Sequence, residues 1–95
     1  MKRYMTDTEI EKLEKVSEIT KSKLPNGYRV EAVENDLYET LNPKIRIITL
    51  SNNIYETEIR IEKLNNSSSS QLATIIAKFA QSNPKTKSNI FRFSI

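Results

Sequence analysis

The segment NDLYET at residues 35–40 returns seventeen residues later as NNIYET at residues 52–57. In a chain this short, such an echo constrains the fold more than any other feature. At that offset Arg29 lies over Arg46, Val30 over Ile47, Val33 over Leu50 and Leu37 over Ile54. Each copy is a run of period-two character, a polar patch and a second such run, which is the pattern of a β-hairpin. The repeat therefore predicts two successive hairpins joined at Asn42 and Pro43, forming a four-stranded antiparallel meander.

Residues facing each other across a hairpin must point to the same side of the sheet. With Ile45, Ile47 and Thr49 turned inward along with Tyr55, Thr57, Ile59 and Ile61, the predicted pairs are Thr49 with Tyr55, Ile47 with Thr57 and Ile45 with Ile59. The loop is then Ser51, Asn52 and Asn53, with Asn53 in the left-handed region that asparagine tolerates. The equivalent loop of the first copy is Glu34, Asn35 and Asp36. That copy is the weaker one, because Glu31 would face Glu39 across it. If residues 37–41 form a helical turn or loop instead, the sheet has three strands.

Helices flank this sheet. Thr6 and Glu9 have the spacing of a capping box, followed by a charged helix to about Lys23 on which Ile10, Leu13, Val16 and Ile19 step by three. Leu24 rejoins the face of Ile10 and Leu13, and Pro25, Asn26 and Gly27 end the helix. After the sheet, two asparagines and four serines form a polar linker whose last serines suit a helix N-cap. Leu72, Ile75, Ile76 and Phe79 then recur at helical spacing, with Ala73, Ala77 and Ala80 beside them to allow close packing; Asn83 and Pro84 stop the helix. At residues 90–95, Phe91, Phe93 and Ile95 alternate with Arg92 and Ser94, a strand pattern. This predicts a single α+β domain over residues 1–95: N-terminal helix, four-stranded meander, amphipathic helix and C-terminal strand. That last strand can pair with its own sheet or with a second copy, making a homodimer.

Charge is unevenly spread over the chain. Residues 1–30 carry a net +2, residues 31–62 a net −4 and residues 63–95 a net +5 with no acidic side chain. The chain holds no cysteine, no histidine and one glycine. This excludes a disulfide framework, thiolate or imidazole chemistry and a glycine-rich phosphate loop, so neither catalytic residues nor a metal or cofactor site is predicted. Glu56, Glu58 and Glu62, which would alternate along one strand, read as a solvated face. No signal peptide or membrane span is predicted, because the apolar run 45–50 is broken by Arg46; a cytoplasmic location is the expectation. The abundance of Asn, Ser, Lys and Ile is a bias associated with AT-rich genomes and with small phage or mobile-element proteins.

Two functions from different classes fit these residues. The first is a non-catalytic inhibitor or adaptor that binds a protein partner through a mixed-charge sheet face carrying Arg46, Ile48, Ile54, Glu56, Glu58 and Arg60, with Arg29, Val33, Leu37 and Leu50 nearby. The second is single-strand or non-specific DNA or RNA binding. There Lys78, Lys85, Lys87 and Arg92 would neutralise phosphate, and Phe91, with Phe93 beside it, would stack on bases. The acidic strand face favours the first. Charge reversal at Glu56 and Glu58 is expected to weaken a protein complex and strengthen oligonucleotide binding; alanine at Lys85, Lys87 and Arg92 is expected to leave a protein complex nearly unchanged and to weaken oligonucleotide binding strongly. Both are read by fluorescence anisotropy across a salt series.

Overall fold

The computed structural model describes residues 5–33, 42–82 and 90–95. Its elements run α1 (Asp7–Ser22), β1 (Arg29–Val33), β2 (Lys44–Ile48), β3 (Ile54–Glu58), α2 (Ile61–Asn66), α3 (Ser69–Gln81) and β4 (Ile90–Ser94). The four strands form one sheet in the order β1-β2-β3-β4, antiparallel at the first two junctions and parallel at the last. The fold is thus α+β, with a mixed sheet rather than an all-antiparallel meander. β3 and β4 run the same way because the chain between them crosses over through α2 and α3; strands joined by a tight turn must oppose, but a helical crossover brings the chain back parallel.

β1 pairs directly with β2, from Arg29 opposite Ile48 to Val33 opposite Lys44. The two-hairpin reading required a strand between them; β1 and β2 are instead direct neighbours. The second arm of the first copy, residues 37–41, and the loop at Glu34, Asn35 and Asp36 lie outside the described residues. The second copy does form a hairpin, in a register shifted by two: Ile47 faces Tyr55 and Ile45 faces Thr57. A shift of two leaves every side chain on its expected face, so alternation alone could not distinguish the registers. Local chemistry at Thr49 selects the observed one. The Thr49 backbone N–H donates to the Asn53 carbonyl at 2.9 Å, and its hydroxyl accepts from the Asn53 N–H at 3.1 Å. The left-handed residue is consequently Asn52, at φ 65°, rather than Asn53. Leu50, at the hairpin tip, reaches over Gly27, where a Cβ would collide with it; Gly27 also has φ +94°. The chain's glycine therefore sits where its backbone disfavours a side chain, while the exposed end of Leu50 could swing aside.

β3 also ends earlier than the alternation of Ile59 and Ile61 suggested. A continued strand would turn Leu64 to the solvent face. Instead the chain bends at Arg60 into α2, and both Ile59 and Leu64 are fully buried. Glu62 accordingly belongs to a helix and does not alternate with Glu56 and Glu58 along a strand.

α1 begins at the predicted cap, Thr6, but α3 is capped by Ser68, the second of the four serines rather than one of the last, and α2 takes in Asn65 and Asn66, which the sequence placed in the linker. Thr6 and Glu9 make a reciprocal capping box, as do Ser68 and Gln71. Glu9 is additionally buried, and its second carboxylate oxygen accepts from Asn65 Nδ2 at 2.7 Å, which ties α1 to α2. Leu13 and Val16 of α1 meet Leu72, Ala73, Ile76, Ala77 and Ala80 of α3 over Ile45, Ile47 and Tyr55 of the sheet in one buried cluster. The alanines keep the two helices close, so both cover the same sheet face. Around Tyr55 the packing is aromatic: Phe91 of β4 stacks on its ring at 4.8 Å, Phe79 of α3 meets it edge-on at 5.2 Å, and Phe93 stacks on Phe79 at 5.0 Å. These rings fasten β4 to the sheet from its helix side.

Ile76 is fully buried at the centre of α3, whereas Lys78 is exposed on the same helix. Replacing Ile76 by alanine is expected to cost about 2–5 kcal/mol in urea unfolding, and Lys78→Ala within about 0.5 kcal/mol of zero.

Candidate functional site

Because the strand pairing is regular and both long helices lie on one side, the other face of the sheet can be read row by row. One row crosses all four strands as Arg29, Ile48, Ile54 and Ile90, and the next as Glu31, Arg46, Glu56 and Arg92. A third runs Val33, Lys44, Glu58 and Ser94. The first row is mostly apolar. The second alternates in sign from strand to strand.

Glu56 is the hub of the charged row. Its Oε2 accepts from Arg46 Nε at 3.0 Å and Nη2 at 2.7 Å, while its Oε1 accepts from Arg92 Nε at 3.3 Å. Arg46 also reaches Glu31 at 3.6 Å, so the ion pairs run unbroken across the sheet. The Glu56 side chain is only 12 % exposed, against 34 % for Arg46 and 73 % for Arg92. Burial pushes the Glu56 carboxyl up, but the hydrogen bonds and charge of Arg46, helped by Lys44 and Arg92, outweigh it and hold the group below the ordinary carboxylate range. Beside this row Lys44, Glu56, Glu58, Arg92, Phe93 and Ser94 line a shallow groove of about 200 Å³. That is smaller than the roughly 300–1,000 Å³ of small-molecule pockets, and it suits contact with a surface better than enclosure of a cofactor.

Of the residues expected to bind protein, the structure brings Arg46, Ile48, Ile54, Glu56 and Glu58 onto this one face. Arg60 is a correction: since β3 stops at Glu58, Arg60 becomes the N-cap residue of α2 and borders a separate cleft with Glu62, Lys63, Asn66 and Ser67. Leu50 belongs to the hairpin tip, 69 % exposed, rather than to the strand face. Of the residues expected to bind nucleic acid, the described ones lie on different parts of the fold. Phe91 faces the core against Tyr55, Arg92 is paired with Glu56, and Lys78 lies on α3. Lys85 and Lys87, like Leu37, lie outside the described residues. The sequence reading missed Arg92 as the fourth member of the charged row, and Ile90 as the fourth of the apolar row. Their period-two spacing was visible, but nothing in it named β3 as their neighbour.

Among the described residues, no group of three or more acidic side chains could hold a metal ion, and no helix is long and apolar enough to cross a membrane. Compared with protein-family models, with curated proteins and with solved structures, the chain finds no match.

A carboxyl held below its unfolded value stabilises the fold fully above the unfolded carboxylate range, and that contribution is lost as pH falls through the folded value. Glu56→Gln is therefore expected to be less stable than the parent at neutral pH by about 1 kcal/mol, a small figure because Arg46 and Arg92 keep contact with water. The gap should close on acidification, as followed by urea unfolding at a series of pH values.

Proposed function

We propose that the protein is a non-catalytic binding protein that acts by stoichiometric occupation of a protein partner, as compact phage-type inhibitors and adaptors do, and that the open face of the sheet is its contact surface. The observation that supports this most is the one-sided packing of α1 and α3. It leaves Ile48 and Ile54 half-buried on the opposite face, beside a row of charges that neutralise one another. An apolar strip next to charges already paired within the chain suits a protein interface: the strip gains by leaving water, and the pairs set register without stranding a bare charge. Glu31, Glu56 and Glu58 on the same face oppose phosphate, and Phe91 turned toward Tyr55 is withheld from stacking on bases.

The test uses aspartate at Ile48 and Ile54 together. These side chains point away from the helices, so the circular-dichroism spectrum should remain that of the parent. Affinity for a partner captured from the source cells is expected to fall about thirtyfold or more, the size of a central hot spot. Unchanged affinity would exclude the face. Oligonucleotide binding that persists at physiological salt would put nucleic acid in the partner's place.

A further inference from the structure

An edge strand exposes one row of backbone donors and acceptors, and folded proteins blunt such edges with lysine, proline, a bulge or an inward charge. β4 closes one side of the sheet with none of these among residues 90–94. Its one charge, Arg92, is drawn sideways over the sheet onto Glu56. Two of the three large apolar side chains that stand exposed in the described residues belong to this strand: Ile90 at 43 % and Phe93 at 38 %.

The backbone bonds show which groups the edge offers. Ile95 donates its N–H to Glu58 and accepts from Arg60, at 2.9 and 3.0 Å, so its peptide groups turn inward to β3. Alternation turns those of Phe91 and Phe93 inward as well, and those of Arg92 and Ser94 outward.

We propose that β4 pairs antiparallel with β4 of a second copy about a two-fold axis at Phe93, joining the two sheets into one. This register gives the outward groups their bonds, since Arg92 and the partner's Ser94 exchange N–H and C=O across the junction, and the symmetric pair repeats it. Phe93 then meets the partner's Phe93 at a non-hydrogen-bonded position, where strands bring side chains closest, with Cα atoms about 4.5 Å apart. Centring the axis on Arg92 instead would set two like charges face to face. A second copy fits the edge because each demand of the strand is met by the same strand reversed: ring against ring, and arginine against a neutral serine. The junction uses the edge of the sheet and is separate from its open face.

Sedimentation equilibrium of the full chain, from micromolar to millimolar, is expected to show a monomer–dimer equilibrium. Ser94→Pro removes an outward N–H that β3 does not use. Ser94→Lys places a cation opposite the partner's Arg92 while facing Glu58 in its own chain. Each is expected to raise the dimer dissociation constant about tenfold or more with an unchanged circular-dichroism spectrum. The chain lacks cysteine, so Phe93→Cys gives an unambiguous cross-link. It should form a disulfide-linked dimer on oxidation, while Ser94→Cys, two positions out of register with its symmetry mate and beyond the roughly 7 Å reach of a disulfide, should not. A monomer across the whole range overturns the proposal and leaves the edge to a strand of another protein. So does a dimer indifferent to both the proline and the lysine at position 94, or one that cross-links more readily in the Ser94→Cys variant than in the Phe93→Cys variant.

Discussion

Tyr55 stands where the sheet, the long C-terminal helix and the last strand meet. Its ring is fully buried, stacked on Phe91 and met edge-on by Phe79, so a single side chain of β3 links α3 to β4. The choice of ring carries a cost. The Tyr55 hydroxyl and the neighbouring Thr57 hydroxyl are buried without a hydrogen-bond partner among the described residues, and desolvation, with Tyr28 adding to it, raises the phenol above its ordinary pKa. Aromatic packing offsets that cost, as buried aromatic area and ring pairing are each worth a kcal/mol or more. Because this cluster lies wholly on the helix side, the opposite face is left to the cross-strand rows.

The parts of the fold that could be read directly were those written in local chemistry. Thr6 with Glu9 announces the start of α1, and the spacing of Leu72, Ile76 and the alanines announces the face that α3 buries, whereas the box of Ser68 with Gln71 was hidden in the serine run. Alternation in residues 44–58 assigned each side chain to the correct side of the sheet. What it could not supply was register, which depends on the Thr49 hydroxyl, or the end of β3, which depends on where Leu64 must go. Topology was least legible. Residues 90–94 look like a strand, but β3 as their neighbour, and their parallel sense, follow from the crossover and from the rings that meet at Tyr55.

The same division explains the candidate site. Arg46, Glu56 and Arg92 were assigned from sequence to competing surfaces, two to a protein interface and one to a nucleic-acid tail. Strand order merges them into one ladder. Once paired, these charges no longer describe an acidic middle and a basic tail. They form a row whose ends differ in sign and whose interior is neutral, so the segment charges visible in sequence say little about the field above this face.

The parallel arrival of β4 bears on how the chain reaches this state. The β2–β3 hairpin closes over a short loop, whereas Tyr55 and Phe91 are thirty-six residues apart. Loop-closure entropy therefore favours the hairpin early and β4 late. In the interval β3 is itself an edge, carrying Ile54 and Tyr55 with no neighbour on one side. Glu56 and Glu58 are the charges present on it then, and before Arg92 arrives they act as gatekeepers against wrong strand pairing. Glu56, which ties β3 to both neighbours in the finished sheet, thus guards its unfinished edge together with Glu58.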